Sequence, residues 1–408
     1  MATKAAGVFK KVTYKKEVIG QWGEVPAVTT GGQYLRRTSA DFNLTKDTLE
    51  SAELNPSFQL TGIRTGVGSA EGSLSGEFSP KSYADFFGSV LAKDFVAGAS
   101  ATGLTLAVAA SGQYFTLTRS TGSWLTDGVK VGNVVRITAG TGADPANLNN
   151  NLLVLSMTAT VLTVQVLSRV ALVVQASITA AAVSVTGKTT LVPLTGHTDD
   201  SYSIEQYYAD ISQSELYTGL KVTSAAVSVS PSGLSTVDFS FSGKDLAQTG
   251  ASEFFTSPTN ATTTGLLAGA TGALIVNGAP GACITDASIN IERAQEAAQC
   301  VGSNNASDIF VGSINVSGSL SAYFSDGVIR DYFANETPVT VVIALTTSTE
   351  KNADVVTFVL PKTKLGSSTI SDNQNGLVQA IDFTSLLNDV TTGGLIDSVI
   401  LVQDTSLV

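Results

Sequence analysis

The sequence predicts a mainly β protein: two tandem antiparallel β-sandwich or barrel domains, each with a flanking short helix, and a small all-β domain inserted in the first. Two observations carry this. Most segments alternate Val, Ile, Leu, Thr and Phe with polar residues at period two. Gly, Asn, Asp or Pro interrupts them at roughly 8–12-residue spacing, the habit of antiparallel strands. The second observation is a phrase written twice. GSLSGEFSPKSYADFF, Gly72 to Phe87, and GSLSAYFSDGVIRDYF, Gly318 to Phe333, share eight of sixteen positions at a constant offset of 246.

In chain order, the first sixteen residues hold five lysines, Lys4, Lys10, Lys11, Lys15 and Lys16, and read as a basic N-terminal arm. TSADFNLTK, Thr38 to Lys46, is a short alternating strand. In the first copy of the phrase a strand leads to Ser79-Pro80, an N-cap followed by a first-turn proline. A helix is expected over Lys81 to Leu91, with Tyr83, Phe86, Phe87, Val90 and Leu91 on one stripe that faces a sheet. Its twin is expected to start at Ser325-Asp326 and carries Val328, Ile329, Tyr332 and Phe333.

The repeat extends in both directions. TDASINIER, Thr285 to Arg293, matches the Thr38 strand at offset 247, aligning Phe42, Asn43 and Leu44 with Ile289, Asn290 and Ile291. Gly233-Leu234 and Val237-Asp238-Phe239 match Gly376-Leu377 and Ile381-Asp382-Phe383, now at an offset of about 144. The first copy therefore holds about 102 additional residues between the same landmarks. An excess of that size is a domain. The boundaries that follow are a discontinuous first domain, 1–95 and 189–250, an insert over 96–188, and a second domain, 251–408. Within the insert, GSWLTDGVKVGNVVRIT and ATVLTVQVL read as tightly turned strands with Trp124 filling the core. The Asn- and Gly-rich TAGTGADPANLNNN reads as an exposed tip, and the whole insert is expected to face outward.

Composition narrows the function. Charged residues make up 14% of 408, well under the roughly 25% of an average soluble domain. Much of the surface is therefore expected to be covered by other copies. A net charge of −11 makes the chain a poor DNA gripper. No apolar leader follows the lysines, which points to a cytoplasmic start. The apolar run from Val170 to Val185 is interrupted and β-branched, and reads as one or two strands. Cys283 and Cys300 are expected to be reduced and buried.

Catalytic chemistry is not apparent. His197 in TGHTDD has no second imidazole or cysteine near it to build a metal or acid–base site. VTGKTT, Val185 to Thr190, resembles the end of a phosphate loop but has Ala182 where that loop needs glycine. The sequons at Asn260, Asn305 and Asn315 carry no weight in an unsecreted chain. No catalytic, cofactor-binding or metal-binding residue is assigned, and the chain is not expected to be an enzyme.

A resemblance then becomes specific. LRRTSADFNLTKDTLESAELNPSFQLTGIRTGVGSAEGSLSGEFSPKSYADFFGSVL, Leu35 to Leu91, is similar to the opening of tail tube proteins of long-tailed, non-contractile phages. Lys46 to Leu54 follows that family's K/E-T-x-E-S-x-E-I phrase, with Leu54 for the usual Ile. Ser201 to Leu246 resembles its S-I-E-K-x-F run, and SGSLSAYFSDGVIRDYF with VTFVLPKTKLGS its second half. The resemblance spans nearly all of the chain outside 96–188. It implies a virion protein, assembled in the host cytoplasm, whose stacked rings form a hollow tail tube for DNA delivery. Its implied partners are itself, a tape-measure protein and tail terminator and tip proteins; DNA would pass through unbound, and no membrane is involved. Duplication adds that three chains would supply six like units, giving homotrimeric rings of pseudo-six-fold symmetry. The segments 47–66 and 292–308 are expected to reach the next ring as long loops, with the lysine arm as a further contact. Competing readings are a surface β-sandwich adhesin or carbohydrate-binding protein, a tail terminator, and a capsid decoration protein.

Overall fold

Period-two segments become strands almost throughout. The structure, a computed structural model, describes residues 4–408 apart from 55, 58, 281–283, 325–326, 372–375 and 391. The first unit opens with β1 (Lys10–Lys16), β2 (Gln33–Tyr34) and the hairpin β3 (Ser39–Glu50) and β4 (Ile63–Glu77). Helix α1 (Ala84–Val90) follows, three residues shorter at its start than Ser79-Pro80 suggests, because the Ser79 and Ser82 hydroxyls bond each other at 2.6 Å rather than capping it. Its stripe is buried as expected. Phe86 packs edge-on against Tyr202 and Phe241 at 5.2 and 5.3 Å.

Six strands then close a barrel: β6 (Ser100–Ser111), β7 (Tyr114–Arg119), β8 (Val134–Thr141), β9 (Leu152–Met157), β10 (Val161–Val166) and β11 (Gln175–Val185), entered through β5 (Val96–Ala97). Trp124 fills it from the one-turn helix α2 (Trp124–Asp127), fully buried, its indole N–H donating to the Thr160 carbonyl at 3.1 Å. The chain returns by β12 (Lys188–Leu191) to β13 (Tyr202–Tyr208), β14 (Gln213–Val229), β15 (Thr236–Gly243) and β16 (Asp245–Gly250). The second unit comprises β17 (Ala268–Val276), β18 (Ala279–Pro280), β19 (Ile284–Ala298), β20 (Asp308–Tyr323), α3 (Val328–Ala334), β21 (Val339–Thr346), β22 (Val355–Leu365), β23 (Thr369–Ser371) and β24 (Val378–Ser385). Strand β25 (Leu401–Asp404) ends the chain, paired with both β22 and β12.

The pairing of the two units is the same. β3 against β4 sets Phe42 opposite Gly72, and β19 against β20 sets Ile289 opposite Gly318, the shifts of 247 and 246 seen in sequence. Likewise β1–β13–β14–β15–β4 corresponds to β17–β21–β22–β24–β20. The third shift needs correcting. Phe241 lies opposite Gly72 and Phe383 opposite Gly318, so β15 maps onto β24 by 142 residues, not 144. A slip of two keeps every side chain on its own face, so alternation alone cannot detect it.

Both repeat glycines are required by neighbouring rings. A Cβ at Gly72 would overlap the Phe42 ring, and one at Gly318 the Phe383 ring and the Ser288 carbonyl. Gly72→Ala and Gly318→Ala are each expected to cost ~1–3 kcal/mol by overpacking, read as a lowered denaturation midpoint.

Strands of the barrel dock on the second unit. Val134, Leu153 and Leu155 form one apolar cluster with Ile275, Val342, Val355, Val359 and Leu401. The buried Gln403 side chain accepts from Val134 N–H at 2.8 Å and donates to the Val134 and Thr186 carbonyls. The expected exposed tip is partly wrong for a related reason. Asn147, Asn150 and Asn151 are buried, since Asn147 donates to the Val173 carbonyl and the Gln175 side chain, Asn150 to the Val170 carbonyl, and Asn151 to Ala353 in the second unit at 2.8 Å.

At the far end Asp404 accepts the Lys81 and Ser406 N–H groups, and burial pushes its carboxyl above the ordinary range. A carboxyl with a raised folded value is more protonated in the fold than in the unfolded chain. Its contribution to stability is therefore greatest below the ordinary 3.8 and falls as pH rises through the window up to the raised value. Asp404→Asn should flatten that part of the midpoint-versus-pH curve.

Candidate assembly interface

The two units meet strand to strand. The C-terminal half of β14 pairs with β15 on one side and with β19 on the other, setting Ala226 opposite Asn290 and Val227 opposite Ile289. The result is one run of strands, β3–β4–β15–β14–β19–β20–β24–β22, with β23 continuing β22 along β24. A single apolar core underlies it. Phe87 of α1 lies 5.8 Å from Phe358 of β22, and Phe78 lies 6.0 Å from the same ring.

An ion cluster closes the seam. Lys221 of β14, only 2% exposed, donates to Asp199 at 2.6 Å and to Asp308 of β20 at 3.3 Å. Arg293 of β19 is equally buried, donates to the Ser89 carbonyl at the end of α1 at 3.0 Å, and lies 3.8 Å from Asp199. Burial lowers the Arg293 guanidinium from its ordinary value, with Asp199 opposing. Asp199→Ala would strip a buried cation pair of its shared carboxylate, at a cost of ~3 kcal/mol. Chemical denaturation measures this. The aspartates following the exposed His197 therefore serve as a structural hub, Asp200 pairing with Lys16 at 2.8 Å.

The outer ends of the run carry no such cover. Among the described residues β3 pairs only with β4, and β23 only with β24. Two β3 carbonyls are taken by side chains, Ala40 by the Lys10 ammonium and Phe42 by the Gln206 amide at 2.9 Å, guards on the strand that carries no ladder partner beyond β4. Ile370 of β23 is 44% exposed, whereas Val227, its counterpart at the seam, is 1% exposed. Helix α3 departs from expectation as well: it buries no residue, Phe333 is exposed, and its span matches that of α1 by a shift of 244 rather than the 246 of the preceding strand, so Phe333 takes the place of Ser89 rather than of Phe87. The start expected at Ser325-Asp326 lies outside the described residues.

One face of the strand run is polar and acidic. The outward positions paired across it are small hydroxyl residues interspersed with the exposed Asp41, Glu71, Glu77, Asp238, Asp286, Glu292 and Asp382. No Lys or Arg occurs in 39–45, 71–77, 224–228, 236–240, 286–292, 315–321 or 380–384. Both long hairpins end in exposed apolar side chains: Leu49, Leu54, Leu60 and Ile63 on one, Val301 and Phe310 on the other. The strands run further into these segments than expected, leaving turns of 51–62 and 299–307.

Two further expectations change. From Lys10 onward the basic arm is strand β1, with Lys11 on Glu253 at 2.6 Å and Lys15 on the Val28 and Thr30 carbonyls, and ahead of it Ala6 N–H donates to Asp210 at 2.6 Å. Cys300 is exposed beside the β19–β20 turn, and Cys283 lies outside the described residues. Among the described residues no group of three or more His, Cys, Asp or Glu could hold a metal, and no helix is long and apolar enough to cross a membrane.

Duplicated β units, an ion-locked internal seam and open strand edges at both ends define a structural subunit built to contact its own kind. The model of the phage tail tube protein family matches residues 10–385, and the chain belongs to that family. It is a structural protein of the phage tail. No curated protein matches it.

Proposed function

We propose that three chains close head to tail into a ring of six like units, and that rings stack into the hollow tube of a long, non-contractile tail that conducts double-stranded DNA into the host. The seam between β14 and β19 supports this reading most directly, because it shows one copy-to-copy joint already made while the matching edges stay open. A ring with no free edge is the stable end of such pairing. The acidic face of the strand run would line the lumen, repelling phosphate so that DNA slides. The apolar hairpin tips would meet the adjacent ring, the barrel would face outward, and a tape-measure protein would set the length inside.

Negative-stain microscopy of the purified protein and mass measurement of single rings test this. Tubes with a regular repeat and a ring mass of three chains are expected. Dispersed monomers would overturn the tube, and six chains per ring would overturn the pseudo-six-fold arrangement. Replacing residues 51–62 by a short Gly-Ser turn should leave rings but shorten or abolish tubes, which sedimentation distinguishes.

A further inference from the structure

The internal seam specifies the external one residue by residue. Pairing fixes three correspondences between the units. Val222 and Leu365 lie opposite Phe241 and Phe383, and Val227 and Ile370 opposite Val237 and Gln379, so β14 maps onto β22 and β23 with a shift of 143. Ile204 opposite Tyr217 maps to Val341 opposite Leu360, a shift of 137 for the strand before it. The third is β19 onto β3, by 247.

These shifts carry the ion cluster with them. Lys221 becomes Lys364, Asp199 becomes Glu336 and Arg293 becomes Lys46, while Ser89, whose carbonyl receives Arg293, becomes Phe333, because the helix ends match by 244: Ala92 and Glu336 donate to the Ser89 and Phe333 carbonyls. Half of the copied cluster already exists in the single chain, since Lys364 lies 3.4 Å from Glu336. It is unshielded, with side-chain exposures of 45% and 82% where Lys221 is 2% exposed. Lys46, the third member, is exposed on the opposite outer edge.

Resting on the ring reading above, we propose that β23 of one chain pairs antiparallel with β3 of the next, with Thr369 opposite Asn43, Ile370 opposite Phe42 and Ser371 opposite Asp41, and that Lys46 of that next copy completes the Glu336–Lys364 cluster. Ile370 then takes the buried place of Val227, and Leu44 that of Ile291. Asp308 has no acidic counterpart, because the matching position is Gly62. Glu336 alone therefore balances two ammonium groups, which makes it the sensitive member. This joint is also softer than the internal one, since lysine replaces the forked guanidinium. A ring whose three internal seams are tight and whose three external seams are lighter can be reversed into intact chains.

Asn43→Cys with Thr369→Cys, in a background carrying Cys283→Ser and Cys300→Ser, places two thiols at a directly opposed pair. On oxidation a covalent, reducible trimer is expected, with at least tenfold less from the slipped pair Asn43→Cys with Ile370→Cys. Carbodiimide treatment of unsubstituted tubes should in addition link Lys46 to Glu336, seen by mass spectrometry and absent from dissociated subunits. Tubes that form normally but yield neither link, or favour the slipped pair, overturn this register and leave the ring standing. Failure of the unsubstituted protein to form rings overturns the ring itself.

Discussion

Ile370→Lys is expected to give a folded subunit that forms no rings and no tubes. Ile370 contributes nothing to the core of its own chain that solvent does not already reach, being 44% exposed on a three-residue strand with a single neighbour. In the proposed ring it enters the position that Val227 occupies at 1% exposure. Losing its burial forfeits about 1.5–3 kcal/mol per joint, and leaving an unpaired ammonium there costs about as much again. Three joints close one ring, so the ring loses on the order of 10 kcal/mol, about seven factors of ten. The contrasting substitution is Val227→Lys. The same chemistry at the internal seam breaks the chain's own core, so its thermal midpoint should collapse while that of Ile370→Lys stays near the parent. Sedimentation velocity and scanning calorimetry separate the two, and normal tube yield from Ile370→Lys would exclude β23 from the joint.

Much of this architecture is legible before any coordinates, for reasons that particular residues make plain. Gly72 and Gly318 survive in both copies because each lies under an aromatic ring that no Cβ can share. The shared GSLS strand is therefore a dependable marker, and the change in shift beyond the helix exposes the extra barrel; the aromatic helix is less so, since α3 buries none of its residues. What sequence misses is what pairing decides. The two-residue slip between Phe239 and Phe241 as the match for Phe383 is invisible to alternation. Four of the five N-terminal lysines look free in a row of charges but lie along β1, each answered by a partner distant in sequence, such as Glu253 for Lys11 and Asp200 for Lys16. The seam cluster is hidden for the same reason: Lys221 stands in an apolar run, Asp199 follows a lone histidine, and only folding makes them neighbours. Sequence does hold one weak signal. Arg293 interrupts a strand whose other inward positions, Ile289 and Ile291, are aliphatic, and a cation at an inward position needs a buried partner.

Charge reversal on the acidic face is expected to turn a conduit into a trap. Glu71, Asp238, Glu292 and Asp382 lie on four different strands of the continuous run and are all exposed. Changing all four to Lys moves each chain by eight charges, from −11 to −3. Outward positions away from the core change stability by about 0.5 kcal/mol or less each, so tubes of parental diameter should still assemble. Inside them, each chain would present four lysines beside the remaining Asp41, Glu77 and Asp286 to a duplex carrying a phosphate about every 1.7 Å of axis, and binding at the lysines would be driven by counterion release. Variant tubes should hold double-stranded DNA at about 50 mM salt and release it steeply towards about 200 mM, the behaviour of a protein making several phosphate contacts. Parental tubes should hold none at either salt, and virions built with the variant should eject incompletely. The neutral set, Glu71→Gln, Asp238→Asn, Glu292→Gln and Asp382→Asn, separates repulsion from attraction: it removes the first without creating the second, so it should slow ejection without retaining DNA. Intact variant tubes that bind no DNA at low salt would place this face away from the lumen and assign the channel wall to the other side of the sandwich.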